Sequence, residues 1–141
     1  MKTFAMIKPS CVKYAGEVRR LIEAAGLMIE DEAVVQLTED QAEEFYSEHK
    51  DKSFFKGLVK MMTSAPVVVL CLSSENAVQV WRNLIGPTNP NDVKANPNQL
   101  RRCFANGEAY AAGNPDNGFH GSAPGDEDRE LGLMRKWGYL K

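Results

Sequence analysis

Pro66-Val67-Val68-Val69-Leu70-Cys71-Leu72 is an apolar run in which no polar residue alternates with an apolar one. A strand with one wet face alternates. This one does not, so it predicts a central strand covered on one or both faces. Phe4-Ala5-Met6-Ile7 repeats the pattern in a shorter form, stopped by Lys8-Pro9. From Leu27 to Leu37 the pattern changes. Ala33, Val35 and Leu37 alternate with polar neighbours, which marks an edge strand. The expected sheet therefore has residues 4–7 and 67–72 inside, 27–37 at an edge and a last short strand around His120.

Helical periodicity fills the gaps. Val18, Leu21, Ile22 and Ala25 recur at i, i+3, i+4 and i+7, so residues 16–25 read as an amphipathic helix ending at Gly26. Thr38 with Gln41 forms a capping box that opens a helix running to Ser47. Further helices are read over 55–63, 76–84, 99–105 and 127–136. The order βαβααβα with a final strand predicts an α+β fold, a ferredoxin-like α/β sandwich with a four-stranded antiparallel sheet. Two loops interrupt it. Residues 86–98 are rich in proline and asparagine, and residues 106–118 are rich in glycine. Loops of such length in a small domain are usually functional or mobile.

Composition narrows the function. The 141 residues read as one domain, long enough to bury about two-thirds of its unfolded surface. A net charge of −2 leaves no basic footprint for nucleic acid. No stretch approaches the ~18 apolar residues of a membrane span, and no signal peptide is read at the start. Cys11, Cys71 and Cys103 are an odd set without CxxC spacing, which predicts reduced thiols and a cytoplasmic setting.

Asn117-Gly118-Phe119-His120-Gly121-Ser122 holds one of the two histidines, with glycines on both sides. Glycine lets a ligand approach closely, and neutral imidazole carries a nucleophilic lone pair at pH 7. The competing reading of an isolated His-Gly pair is an ordinary turn. Cations stand at element ends: Lys8 after the first strand, Arg82 in the last turn of a helix, and Arg101 and Arg102 after the first long loop. Each arginine alone reads as a solvated charge; Lys8 is the exception, because it directly follows an apolar strand and strand ends are common ligand sites. A lysine, two arginines and the hydroxyl of Thr88 around one nucleophilic histidine are what phosphoryl transfer requires, because the protein must position and neutralise a multiply charged group.

Six ordered segments resemble the nucleoside diphosphate kinase family. They are Thr3-Phe4-Ala5-Met6-Ile7-Lys8-Pro9, Phe54-Phe55-Lys56-Gly57-Leu58-Val59, Ser64-Ala65-Pro66-Val67, Gly86-Pro87-Thr88-Asn89-Pro90, Leu100-Arg101, and the histidine segment itself. The resemblance covers almost the whole chain. It implies transfer of the γ-phosphoryl group from a nucleoside triphosphate to a nucleoside diphosphate by a ping-pong route, with His120 as the nucleophile. Lys8 matches the lysine near the γ-phosphoryl and sugar hydroxyl, and Tyr46 the tyrosine beside the histidine. Arg82, Thr88 and Arg101 match the phosphate clamp, and Asn117 the asparagine that bonds the ribose. Phe54 matches the aromatic that stacks on the base, with Leu58 flanking it, which implies a broad base range.

Glu130 is the candidate orienter of the histidine ring, with Ser122 in support. Its spacing from His120 is one residue shorter than in the family, so Glu127 and Asp128 remain alternatives. Mg²⁺ is expected to arrive on the nucleotide phosphates, with no protein metal ligand. His49 is read as an exposed helix-end residue without a role.

The chain also departs from the family. Ala123-Pro124 follows Ser122 where an acidic residue is usual. The segments spanning 89–98 and 106–116 are longer, by about two and about six residues. The first lies in the loop that builds oligomer contacts in relatives, so a homo-oligomer is implied, as a tetramer, a hexamer or a dimer. The rival reading is a nucleotide-binding or scaffold member without catalysis. Against it, every catalytic position that can be mapped is present.

Overall fold

In the computed structural model, which describes residues 1–141, the run at 66–72 becomes strand β3 (Val67–Ser73) and lies inside the sheet. It pairs antiparallel with β1 (Lys2–Ile7) on one side and β2 (Met28–Val35) on the other. Strand β4 (Phe119–Gly121) pairs antiparallel with β1, giving the order β2-β3-β1-β4. This is the four-stranded antiparallel sheet of a ferredoxin-like α/β fold, with the two unbroken apolar strands inside and the alternating strand at an edge.

Period-two geometry sends neighbouring residues to opposite faces. Phe4 and Met6 of β1 therefore join one core, and Ala5 and Ile7 join the other. The first core packs under α2 (Glu39–Phe45), α3 (Phe55–Met62) and α7 (Glu127–Lys136), through Phe45, Met62, Leu131 and Met134. The second packs under α1 (Ala15–Ala24), α4 (Ala77–Ile85) and α5 (Leu100–Phe104), through Val18, Ile22, Trp81 and Leu100. The Thr38–Gln41 capping box forms at the start of α2.

One element falls in a stretch without a reading from sequence, and two local readings need correction. Residues Pro9–Tyr14 form a 3₁₀-helix ahead of α1, where proline at the first helical position is preorganised for the turn. Residues 106–116, expected as a loop, hold the short helix α6 (Gly107–Ala111), capped by Asn106, whose side-chain oxygen accepts the Ala109 N–H. Asn91 in the other long segment donates to the Gly107 carbonyl at 2.8 Å, so the two extended segments are stitched together. Finally, His49 is half-buried rather than exposed. No helix is long and apolar enough to cross a membrane.

Candidate active site

The site forms where β1 ends beside the turn that enters β4. The Lys8 backbone N–H donates to the Gly118 carbonyl at 2.8 Å. Gly118 takes a φ of +88°, and a Cβ there would come within 2.8 Å of Cys11 Sγ. Glycine removes both the strain and the clash. The Lys8 side chain is buried at 6% exposure, and its Nζ donates to Asn117 Oδ1 at 2.8 Å. Asn117 Nδ2 in turn donates to the Thr88 carbonyl at 2.9 Å. Burial and the nearby Arg101 lower the Lys8 pKa to about 8, while Asp116 pulls it the other way.

His120 lies in β4 opposite Met6. Its ring is enclosed by Phe4 and Phe45, at centroid distances of 5.8 and 5.2 Å. Its Nε2 lies 2.9 Å from Glu130 Oε1 on α7. That oxygen also accepts the Ser122 hydroxyl at 2.6 Å. An ionised carboxylate only accepts, so Nε2 carries the proton and Nδ1 keeps its lone pair. Of the three acids open from sequence, Glu130 is the one that reaches the ring. Glu127 bonds the Gly125 N–H instead, and Asp128 is exposed. Trp81 supports the strand from beneath, its indole N–H donating to the His120 carbonyl at 2.9 Å. A Cβ on Gly121 would lie 2.8 Å from the Trp81 ring, so a side chain at this position would collide with α4.

The cationic side of the cleft is built from α4 and α5. Arg101 is 9% exposed and donates to the carbonyls of Gly86 and Phe119, each at 2.8 Å. Burial and then Arg82 lower its pKa to about 10, so it remains charged at neutral pH. Arg82 is exposed and reaches the Gly121 and Ser122 carbonyls only at 3.4 and 3.5 Å. Two buried polar groups here lack partners: the Tyr46 hydroxyl and Arg101 Nε. Burial, Glu130 and Asp116 raise the Tyr46 pKa well above its ordinary value, so this phenol stays neutral. Buried polar groups without partners cost stability, and a ligand would relieve that cost.

These walls enclose a cleft of about 890 Å³. Ten of the eleven residues given a catalytic or nucleotide-binding role from sequence face it. The exception is Ser122, fully buried behind Glu130. Phe54 stands at the mouth, half exposed, with Leu58 buried one turn further along α3. His49 also faces the cleft, its ring 5.4 Å from that of Phe54. Tyr110 of α6 brings the longer segment into the wall. Sequence reasoning missed His49, Trp81, Tyr110 and Asp116. Asn114-Pro115-Asp116-Asn117-Gly118 signals a turn and gives no hint that the aspartate is buried.

Comparison with known proteins identifies the family. The family model "Nucleoside diphosphate kinase" matches residues 1–136. A nucleoside diphosphate kinase of Bdellovibrio bacteriovorus is 41% identical over 136 residues, covering 94% of this chain and 91% of the relative. One of Methylorubrum extorquens is 40% identical over 130 residues, covering 91% and 87%. Among solved structures, the halophilic nucleoside diphosphate kinase of Halobacterium salinarum in complex with CDP superposes with a TM-score of 0.86 at 32% identity, over 100% of this chain and 91% of the other. That of Aquifex aeolicus gives 0.86 at 27% identity, over 99% and 98%. The chain therefore belongs to the nucleoside diphosphate kinase family, enzymes that move a phosphoryl group between nucleoside triphosphates and diphosphates.

Proposed function

We propose that this enzyme works by a ping-pong route through a phosphohistidine on His120. The observation that carries the reading is the Glu130–His120 contact of 2.9 Å inside a cleft walled by Lys8, Arg82 and Arg101. Glu130 holds the Nε2 proton and fixes the ring, so the Nδ1 lone pair is the nucleophile. Nδ1 attacks the γ-phosphorus, the N–P bond forms, and the bond to the bridging oxygen breaks to release the nucleoside diphosphate. A second diphosphate then attacks the phosphohistidine with a terminal oxygen and restores the free imidazole. Donor and acceptor occupy one site in turn.

The other residues act on charge and position. Lys8, Arg82 and Arg101 neutralise the β- and γ-phosphates, with arginine offering multi-donor contact. The free Tyr46 hydroxyl, the Thr88 hydroxyl and Arg101 Nε supply donors for the phosphate oxygens, and Asn117 and Lys8 bond the ribose hydroxyl. Ser122 anchors Glu130. Phe54 stacks on the base with Leu58 beside it, and stacking is indifferent to which base it meets.

The donor set of the cleft is cationic, which fits a polyphosphate that carries its own Mg²⁺. The ion would be held by phosphate oxygens next to Lys8, Arg82 and Arg101, and when bound it supplies further neutralisation of phosphate charge. The free thiols Cys11, Cys71 and Cys103 support a cytoplasmic setting. The family likeness supports assembly as a homo-oligomer, whether dimer, tetramer or hexamer.

Initial-rate kinetics tests the route. Parallel double-reciprocal lines and exchange of label between ATP and ADP without a second nucleotide are expected. Intersecting lines without exchange would sink it.

A further inference from the structure

Asp116 is a carboxylate at 5% exposure beside a site made for anions. Its Oδ2 accepts the Ser10 N–H at 2.9 Å, and its Oδ1 accepts the Gly118 N–H at 2.8 Å. Its own N–H donates to Asn114 Oδ1 at 2.9 Å. Ser10 follows Lys8 by two residues, and Gly118 directly follows Asn117. One side chain therefore ties the segment that carries Lys8 to the segment that carries Asn117. A buried carboxylate is costly unless charge-assisted bonds satisfy it, and these two backbone donors do so.

The negative charge has a second consequence. Lys8 is a buried ammonium whose side-chain partner, Asn117, is neutral. From α5 it faces Arg101, which repels it, and from the 3₁₀-helix the Cys11 thiol. Tyr46, His120 and Glu130 share its cleft. Tyr46 is a neutral phenol, and the Glu130 carboxylate is engaged by His120 and Ser122. Asp116 is the carboxylate that acts on Lys8 in the attractive sense.

We propose that Asp116 is a positioning residue for phosphoryl transfer: it holds Lys8 and Asn117 in register through the Ser10 and Gly118 amides, and its buried negative charge offsets the burial of the Lys8 ammonium. This rests on the reading of Lys8 as a phosphate-binding residue. Removing the charge leaves only the weaker influence of Cys11 against burial and Arg101, so Lys8 loses its proton at lower pH. The alkaline limb of kcat/KM, which reports the free enzyme, then moves to lower pH as well. A merely structural role would lower kcat/KM at every pH without moving that limb.

The test is titration of the Lys8 ammonium by NMR, without nucleotide, in the wild type and in Asp116→Asn, alongside the pH profile of kcat/KM. A downward shift of roughly half a unit or more is expected for both. An unchanged Lys8 titration in a folded variant would overturn the proposal. An amide cannot accept both backbone N–H groups, so Lys8→Met supplies the reciprocal measurement if Asp116→Asn does not fold. There the Asp116 carboxyl should titrate at higher pH than in the wild type, and an unmoved carboxyl contradicts the coupling. Both titrations omit nucleotide, so a wild type that forms no phosphoenzyme would remove the functional reading and leave them decisive for Asp116.

Discussion

Glu130 Oε1 lies 2.9 Å from His120 Nε2 and 2.6 Å from Ser122 Oγ, so one carboxylate oxygen on α7 fixes both the imidazole and the hydroxyl two residues beyond it. A ring held this way presents Nδ1 without rotating, and small misplacement of a reacting atom is costly. Glu130→Gln retains the length and removes the charge. Its kcat should fall about 10²-fold, with ADP affinity near the wild-type value. Equal losses in affinity and kcat would place Glu130 in nucleotide binding instead.

Phe54 presents a half-exposed ring to the cleft, and stacking contributes about 1–3 kcal/mol per base. Phe54→Ala should weaken adenine, guanine and cytosine nucleotides by similar factors in equilibrium binding. A loss confined to one base would contradict stacking as its role.

Lys8 titrates near 8 in the folded protein against an ordinary 10.5, chiefly because it is buried. Between these values the unfolded chain binds more protons, so stability rises with pH through that window. The penalty is fully present below 8. Phosphate affinity runs the opposite way, because only the ammonium attracts the anion. Thermal unfolding of the free protein and ADP binding, both measured from pH 7 to 10, should therefore show opposite trends. ADP affinity independent of pH across 8 would remove Lys8 from the phosphate site.

Gly121 is confined by Trp81, and a Cβ would meet the indole at 2.8–3.0 Å. Trp81 is fully buried and bonded to the His120 carbonyl, so neither side can yield without moving β4. Gly121→Ala should cost roughly 1–3 kcal/mol of stability and reduce turnover. Unchanged denaturant midpoint and rate would show that the helix gives way freely.

The inner strands were legible because an unbroken run such as Val67–Leu72 fits only a strand covered on its faces, and β2 because its alternation marks an edge. The capping box at Thr38 was readable because its two bonds are local. Helix α6 was not, since five residues of Gly, Glu, Ala and Tyr carry no apolar period, and its anchor is Asn91, 16 positions away. The residues facing the cleft were legible through family segments around Lys8, Phe54, Thr88, Arg101 and His120. Asp116 and Trp81 were not, because their importance comes from contacts made across the fold: Asp116 to the Ser10 amide and Trp81 to the His120 carbonyl.

The phosphoenzyme itself tests the central claim most directly. Intact mass spectrometry after incubation with ATP and Mg²⁺ should show one added, acid-labile phosphoryl group, which maps to His120 and is absent in His120→Ala. Adding GDP should remove it and yield GTP. A protein that binds nucleotide and turns it over without ever carrying that group would contradict the account.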